Sequence, residues 1–332
     1  MAKLKDTDYL FLSTRIRVLE RSLLTKERME RMLDASAPAD AAKILQECGY
    51  PEMEEVSVDS VNAMLSQARA RTFDDLSFFA PDHRIVEAFQ VKYDYHNAKV
   101  LLKSEARGID GARLLVDTGR VPAPQLQECV RASDFRGLPG RLSQAIVTAR
   151  ETLGATGDPQ LCDFVLDRAY FEDMLDLAQQ SGSGFLEGYV RLNIDVANLK
   201  SLVRTLRMGK DADFLRGVLF SGGSVETSRI LATVNAGTSI LDLYAYSPLN
   251  SAAELGAAAV SGAPLTQFEK RCDDAVMDYI SSAKYVAFGE APVAAYLAAK
   301  ENEFTAVRII MTGRLADLSA DVIRERLREC YV

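Results

Sequence analysis

Three acidic residues hold equivalent places in three similar stretches of the chain. A carboxylate repeated in this way is either a catalytic acid or a polar brace that every unit needs. The stretches run from Asp94 through Asn97 and Lys99 to Lys103, from Asp195 through Asn198 and Lys200 to Arg204, and from Glu303 through Ala306 and Arg308 to Thr312. The acids are separated by 101 and 108 residues, a near-fixed period of the kind that marks repeated structural units. Wound at helical pitch, Val196, Leu199, Leu202, Val203 and Leu206 share one arc, with Lys200, Arg204 and Arg207 on the next. Asp195 lies along the apolar arc, as Asp94 and Glu303 do in their copies, and a carboxylate facing a core must find donors or a cation. Because catalytic acids are not normally needed in triplicate, the spacing favours a helix-to-helix polar contact inside each unit. The competing reading is an enzyme whose site lies between units and uses Asp94 or Asp195 with a tyrosine such as Tyr189.

Other motifs carry less. Gly182, Gly184 and Gly188 imitate a phosphate-binding loop, but a helix precedes them where a dinucleotide fold needs a strand. The two histidines, His83 and His96, have no ligand-spaced partners, which argues against a metal site or a histidine-based triad. The cysteines, Cys48, Cys129, Cys162, Cys272 and Cys330, are odd in number and widely spaced, as reduced core thiols are. No P-loop or nucleophile elbow is present. The expected catalytic, cofactor and metal inventory is therefore empty.

The elements that must position the three acids are helices. Lys5–Leu24 has helical period, Thr25 caps a second helix, and Ala37–Ala39 turns the chain into a third. Further helices are expected over 61–73, 85–106, 160–179, 268–283 and 293–312, besides the one around Asp195. A second recurrence accompanies the first. Leu24, Val121, Val225 and Leu318 each stand just before a helix-start signal and an amphipathic run, at a similar period. The fold class read from these two recurrences is all-α. It divides into a first unit over 1–120 that includes the helix over 5–24, a second over 121–224, and a third over 225–332 with a closing helix at 319–331.

Bulk properties agree with a multi-unit soluble protein. The chain has 332 residues, 48% hydrophobic and 26% charged, with a net charge of -8, enough for two or three domains. Such acidity argues against nucleic acid as a partner, since phosphate contacts need a concentrated basic surface. No apolar run is long enough to span a bilayer, and the polar start Met1–Asp6 lacks a signal core, so a cytosolic location is expected.

The chain also resembles the family of C subunits of prokaryotic V-type (A-type) ATPases, and is similar to the d subunit of the eukaryotic V-ATPase. The resemblance rests on Asp8, Tyr9, Arg15, Ile16 and Arg17, on Asp195, Asn198, Leu199, Lys200 and Arg204, and on a run from Phe288 and Gly289 through Tyr296, Lys300, Glu303 and Arg308 to Gly313. It covers the chain from about residue 5 onward. It implies three all-helical domains around a pseudo-threefold axis that form a funnel. It implies a non-catalytic rotor part for ion transport and ATP synthesis, peripheral to the cytoplasmic face of the membrane. The implied partners are the central-stalk subunits and the membrane proteolipid ring, with no small-molecule substrate. Lys99, Lys103, Lys200, Arg204 and Arg207 are candidates to face a partner. The alternative to the coupler is a general helical-repeat scaffold for cytosolic proteins.

Overall fold

The computed structural model describes residues 4–332, so residues 1–3 of the polar start lie outside it. All regular structure among the described residues is helical. The first predicted helix is present in three pieces: a 3-10 turn over Asp6–Tyr9, helix α1 over Leu10–Leu19, and a second 3-10 turn over Glu20–Ser22. Thr25 then caps α2 (Lys26–Asp34), its hydroxyl accepting the Arg28 N–H at 3.2 Å. Pro38 opens α3 (Pro38–Gln46), where its missing N–H costs nothing. Ser57 caps α4 (Val58–Phe79), longer than the segment predicted from its apolar period. The first long motif helix, α5 (Arg84–Arg107), ends at Gly108, whose positive φ of 64° closes the helix as a left-handed cap.

The same order recurs. After α6 (Ala123–Ala132) come α7 (Gly140–Thr156) and α8 (Pro159–Ser181), capped by Asp158, and then the second motif helix α9 (Gly184–Arg207), capped by Ser183. Short helices α10 (Ala212–Val218), α11 (Thr227–Ala236) and α12 (Ile240–Tyr244) lead to α13 (Asn250–Val260) and α14 (Leu265–Ser281). The third motif helix is α15 (Glu290–Leu315), followed by α16 (Ala320–Arg324).

The closing helix predicted over 319–331 stops at Arg324, and the reason is a competition for backbone groups. Lys270 Nζ donates to the Leu327 carbonyl at 2.8 Å, Asn302 Nδ2 donates to the Glu329 carbonyl at 3.0 Å, and the Glu329 N–H donates to Asp274 at 2.9 Å. Side chains of α14 and α15 thus satisfy groups that a further helical turn would have paired internally. The tail lies across both helices as an extended strap.

Three clusters of buried side chains form the core. One gathers α1, α5, α6, α7 and α8 around the first halves of α9 and α15. A second joins the later half of α9 to α10, α13 and α14. The third combines the two ends of the chain: Met32, Leu33, Leu45 and Leu65 pack with Phe304, Val307, Ile310 and Met311. The units expected over 1–120 and 225–332 therefore meet in one core, because α15 needs the apolar faces of α2, α3 and α4 to bury its own.

Candidate functional site

Each motif helix carries its carboxylate into the core and spends it on the backbone of a distant loop. Asp94 of α5 is fully buried, and its Oδ1 accepts the Val121 N–H at 3.0 Å. Its Oδ2 accepts Arg120 Nε at 2.8 Å, and the same guanidinium reaches Asp173 of α8 at 2.6 Å. Burial is the largest influence and raises the Asp94 carboxyl above its ordinary range, against the pull of Arg120 and the Val121 amide. Asp195 of α9 accepts the N–H groups of Val225 at 3.1 Å and Ser224 at 3.0 Å. It too is pushed up by burial, and only contacts with Val225 and Ser224 and the nearby Arg191 oppose the shift.

Three residues further on, the amides repeat as faithfully. Asn97 donates to the Val116 carbonyl at 2.8 Å and accepts the Val116 N–H at 2.9 Å. Asn198 makes the same two-way contact with Phe220, both bonds at 2.8 Å. A side-chain amide here replaces the strand partner that those loop residues lack.

The third copy substitutes a longer acid and wraps to the start of the chain. Glu303 accepts the Leu24 N–H at 2.6 Å, Tyr50 Oη at 2.6 Å and Lys300 Nζ at 2.5 Å. The two recurrences are therefore one device: each acid holds the amide of Val121, Val225 or Leu24, the residues of the second recurrence. Leu318, the fourth member of that set, is not held by any of the three acids.

Two glycines complete the seams and were not singled out from the sequence. A Cβ on Gly119 would fall 2.2 Å from Asp94 Oδ1, and one on Gly223 would fall 2.2 Å from Asp195 Oδ1. Both stand two residues before the held valine, so a repeated Gly-x-Val was the available signal.

The basic arc is turned onto neighbouring helices. Lys99 pairs with Asp167 at 2.5 Å and Lys103 with Asp163 at 2.7 Å, tying α5 to α8. Lys200 pairs with Asp273 at 2.5 Å and Arg204 with Glu269 at 2.6 Å, tying α9 to α14 in the same pattern. Arg207 donates to the Ala263 carbonyl at 2.7 Å. Among these cations, the Arg204 side chain stays 55% exposed.

The comparison with known proteins follows this frame from end to end. A model of the ATP synthase (C/AC39) subunit family matches residues 12–326. The chain belongs to that family. Relatives of this C/AC39 member include the C subunit of the V-type sodium ATPase of Enterococcus hirae, 26% identical over 98% of this chain and 99% of the relative. The C subunit of the A-type ATP synthase of Haloquadratum walsbyi is 25% identical over 95% of this chain and 96% of its own. Its counterpart in the V-type ATP synthase of Thermus thermophilus is 25% identical over 93% of this chain and 94% of the relative.

In this C/AC39 member the remaining sequence candidates have structural surroundings. Tyr189 joins neither Asp94 nor Asp195; its ring stacks on Phe89, centroids 5.4 Å apart. Gly182 ends α8 with φ 71°, and Gly188 makes room for the Tyr279 hydroxyl. His96 Nε2 lies 3.1 Å from the Leu114 carbonyl, and His83 precedes α5. Cys48, Cys162 and Cys272 are buried free thiols, and burial pushes Cys48 up to about 11. Among the described residues no group of three His, Cys, Asp or Glu side chains could hold a metal ion, and no helix is long and apolar enough to cross a membrane.

Proposed function

We propose that this protein is the non-catalytic rotor coupler of a V-type ATPase or ATP synthase, joining the central stalk to the membrane proteolipid ring and passing torque between them. The observation that carries this reading is the family match from residue 12 to 326. The bracing supports it. A torque-bearing part must not yield, and a close-packed helical core with low compressibility transmits strain. Buried carboxylates and ion-paired rungs resist sliding of α5, α9 and α15 against their neighbours. In this reading the three units form a funnel, and the protein sits peripherally on the cytoplasmic face of the membrane.

Two surfaces suit the two partners. The starts of α5, α9 and α15 open on one cleft of about 1180 Å³, lined also by Leu4, Asp6 and Tyr9. Elsewhere on the first unit is an exposed apolar rim: Phe11 packs on Phe79, which packs on Phe78, the last 81% exposed. Arg17 ties the helix that carries Phe11 to the segment carrying the exposed Tyr285 through the Val286 carbonyl. Apolar patches of this kind mark partner or membrane surfaces, and we assign this end to the ring. The basic arc Lys99, Lys103, Lys200, Arg204 and Arg207 is assigned to polar docking, with Arg204 its most open ion-paired member.

The test is a pull-down from detergent-solubilised membranes of the source cells with this chain as bait. Stoichiometric recovery of central-stalk subunits and ring proteolipid is the expected result. Recovery of neither, from membranes that contain the intact complex, would overturn the coupler in favour of a cytosolic scaffold.

A further inference from the structure

Helices α9 and α15 run out of a common core into different ones. The first half of α9 lies in the cluster it shares with α15, through Leu186 and Val190, and its later half buries Leu199 and Val203 with α13 and α14. α15 starts in the same shared cluster at Val293 and Leu297, but its later half buries Val307 and Ile310 with α2, α3 and α4. The molecule thus has a body and two arms. Between the arms lies a cleft of about 340 Å³, with Val196 and Val276 on one wall and Thr305 and Ile309 on the other. At that level the arms are separated by open space.

The strap that follows α16 crosses this cleft, and its ends are held differently from its middle. Leu327 is buried in the core of the α15 arm, and Tyr331 is buried in the body. There the Tyr331 Oη donates to Glu20 at 3.1 Å, and its ring carries Lys284 Nζ at 4.8 Å from the centroid. Asn302 of α15 adds its bond to the Glu329 carbonyl. The strap is therefore seated on the α15 side by apolar burial.

Its grip on the other arm is polar throughout. Lys270, Asp273 and Asp274 share one face of α14 at helical spacing. They bind the Leu327 carbonyl, the Arg328 Nε at 2.7 Å and the Glu329 N–H at 2.9 Å. The backbone of Glu329 is thereby stapled across the cleft, its N–H to α14 and its carbonyl to α15. Arg326 and Arg328 stand in the cleft lining itself.

The two kinds of holding respond to different conditions. Burial of Leu327 and Tyr331 is not weakened by salt, whereas Asp273 and Arg328 are part-exposed and their attraction is screened. Letting go of the strap does not dismantle the α9 arm. The other oxygen of Asp273 still holds Lys200 of α9 at 2.5 Å, and Arg204 still reaches Glu269.

We propose that residues 325–332 form a latch that closes the α9–α14 arm onto the α15 arm, and that releasing its grip on α14 lets the two arms open about the body they share. The latch goes beyond the coupler reading and does not depend on which partners the arms meet. It makes the width of the cleft a property set by the last residues of the described chain.

The test measures the distance between the arms in the full chain, with spectroscopic labels on noncanonical residues placed at the exposed Gln267 of α14 and Asp34 of α2. This route spares the five native cysteines. Arg328→Ala combined with Glu329→Pro removes the ion pair to Asp273 and the N–H given to Asp274 without touching a core residue. Helical content by circular dichroism is expected to stay at the wild-type level, and the population of long inter-arm distances to rise about threefold or more. High salt should lengthen the distance in wild type, and Arg328→Ala alone should lose most of that response. Arg204→Ala cuts a rung inside one arm and is expected to leave the distance unchanged. A folded double variant with the wild-type distance distribution would overturn the latch, as would an equal lengthening in Arg204→Ala. Should the double variant lose helix, a wild-type distance that ignores salt together with an unaltered distance in Arg328→Ala would overturn it as well.

Discussion

The Glu303 carboxylate accepts the Leu24 amide proton at 2.6 Å across a sequence separation of 279 residues. Lys300 and Tyr50 bind the other oxygen of the same carboxylate. The last motif helix is thereby fastened to the start of the chain by the device that fastens the first two to the loops following them.

Removing that carboxylate leaves Lys300 buried without its partner and the Leu24 amide without an acceptor. Glu303→Ala is expected to cost about 3–5 kcal/mol. Glu303→Gln keeps an acceptor for Leu24 and should cost less. Urea unfolding measures both losses, and hydrogen exchange should show residues 24–50 losing protection first.

The glycines at the seams leave no room for a side chain. Gly119→Ala and Gly223→Ala each place a methyl group 2.2 Å from a buried carboxylate oxygen, with an expected cost of about 1–3 kcal/mol. Gly154→Ala is the control. Nothing lies within 4 Å of its Cβ position inside α7, so it should stabilise by about 0.5–1 kcal/mol. Thermal melts of the three variants distinguish the cases.

The raised carboxyls of Asp94 and Asp195 give a signed pH effect. Both stay protonated in the folded state to a higher pH than the ordinary Asp value of 3.8. Folding therefore takes up protons between that value and the raised one, and the stability contributed there is lost as pH rises. Asp195→Asn abolishes its share. Unfolding free energies measured over a mildly acidic pH series should fall less steeply with rising pH in this variant than in wild type.

Exposed aromatics can be removed without touching the core. Phe11→Ser combined with Phe78→Ser should leave stability within about 1 kcal/mol of wild type. Recovery of the proteolipid ring in pull-downs should fall by about tenfold or more. Unchanged ring recovery would separate the apolar rim from ring docking.

Much of this frame is legible in the sequence. The period of Asp94, Asp195 and Glu303 and that of Leu24, Val121 and Val225 can be read independently, because helical pitch and capping residues leave local marks. That the two sets bond to one another cannot. The separations from acid to held amide are 27 and 30 residues in the first two copies and span nearly the whole chain in the third, and no local rule encodes them. The basic arc reads as a candidate partner-facing surface because the acids that pair with it lie on other helices. The four-residue spacing of Asp163 with Asp167 and of Glu269 with Asp273 nevertheless matches that of Lys103 with Lys99 and Arg204 with Lys200. The tail after Arg324 has helical period, but Lys270, Asn302 and Asp274 compete for its backbone from elements set by tertiary packing.

The core shared by the two ends of the chain has a consequence for synthesis. Met32, Leu33 and Leu65 leave the ribosome more than two hundred residues before the α15 side chains that share their core, Val307 to Met311. At ordinary elongation rates that interval is on the order of tens of seconds. Throughout it the apolar faces of α2 and α4 lack the cover that α15 later gives them, so this core closes only after α15 has emerged.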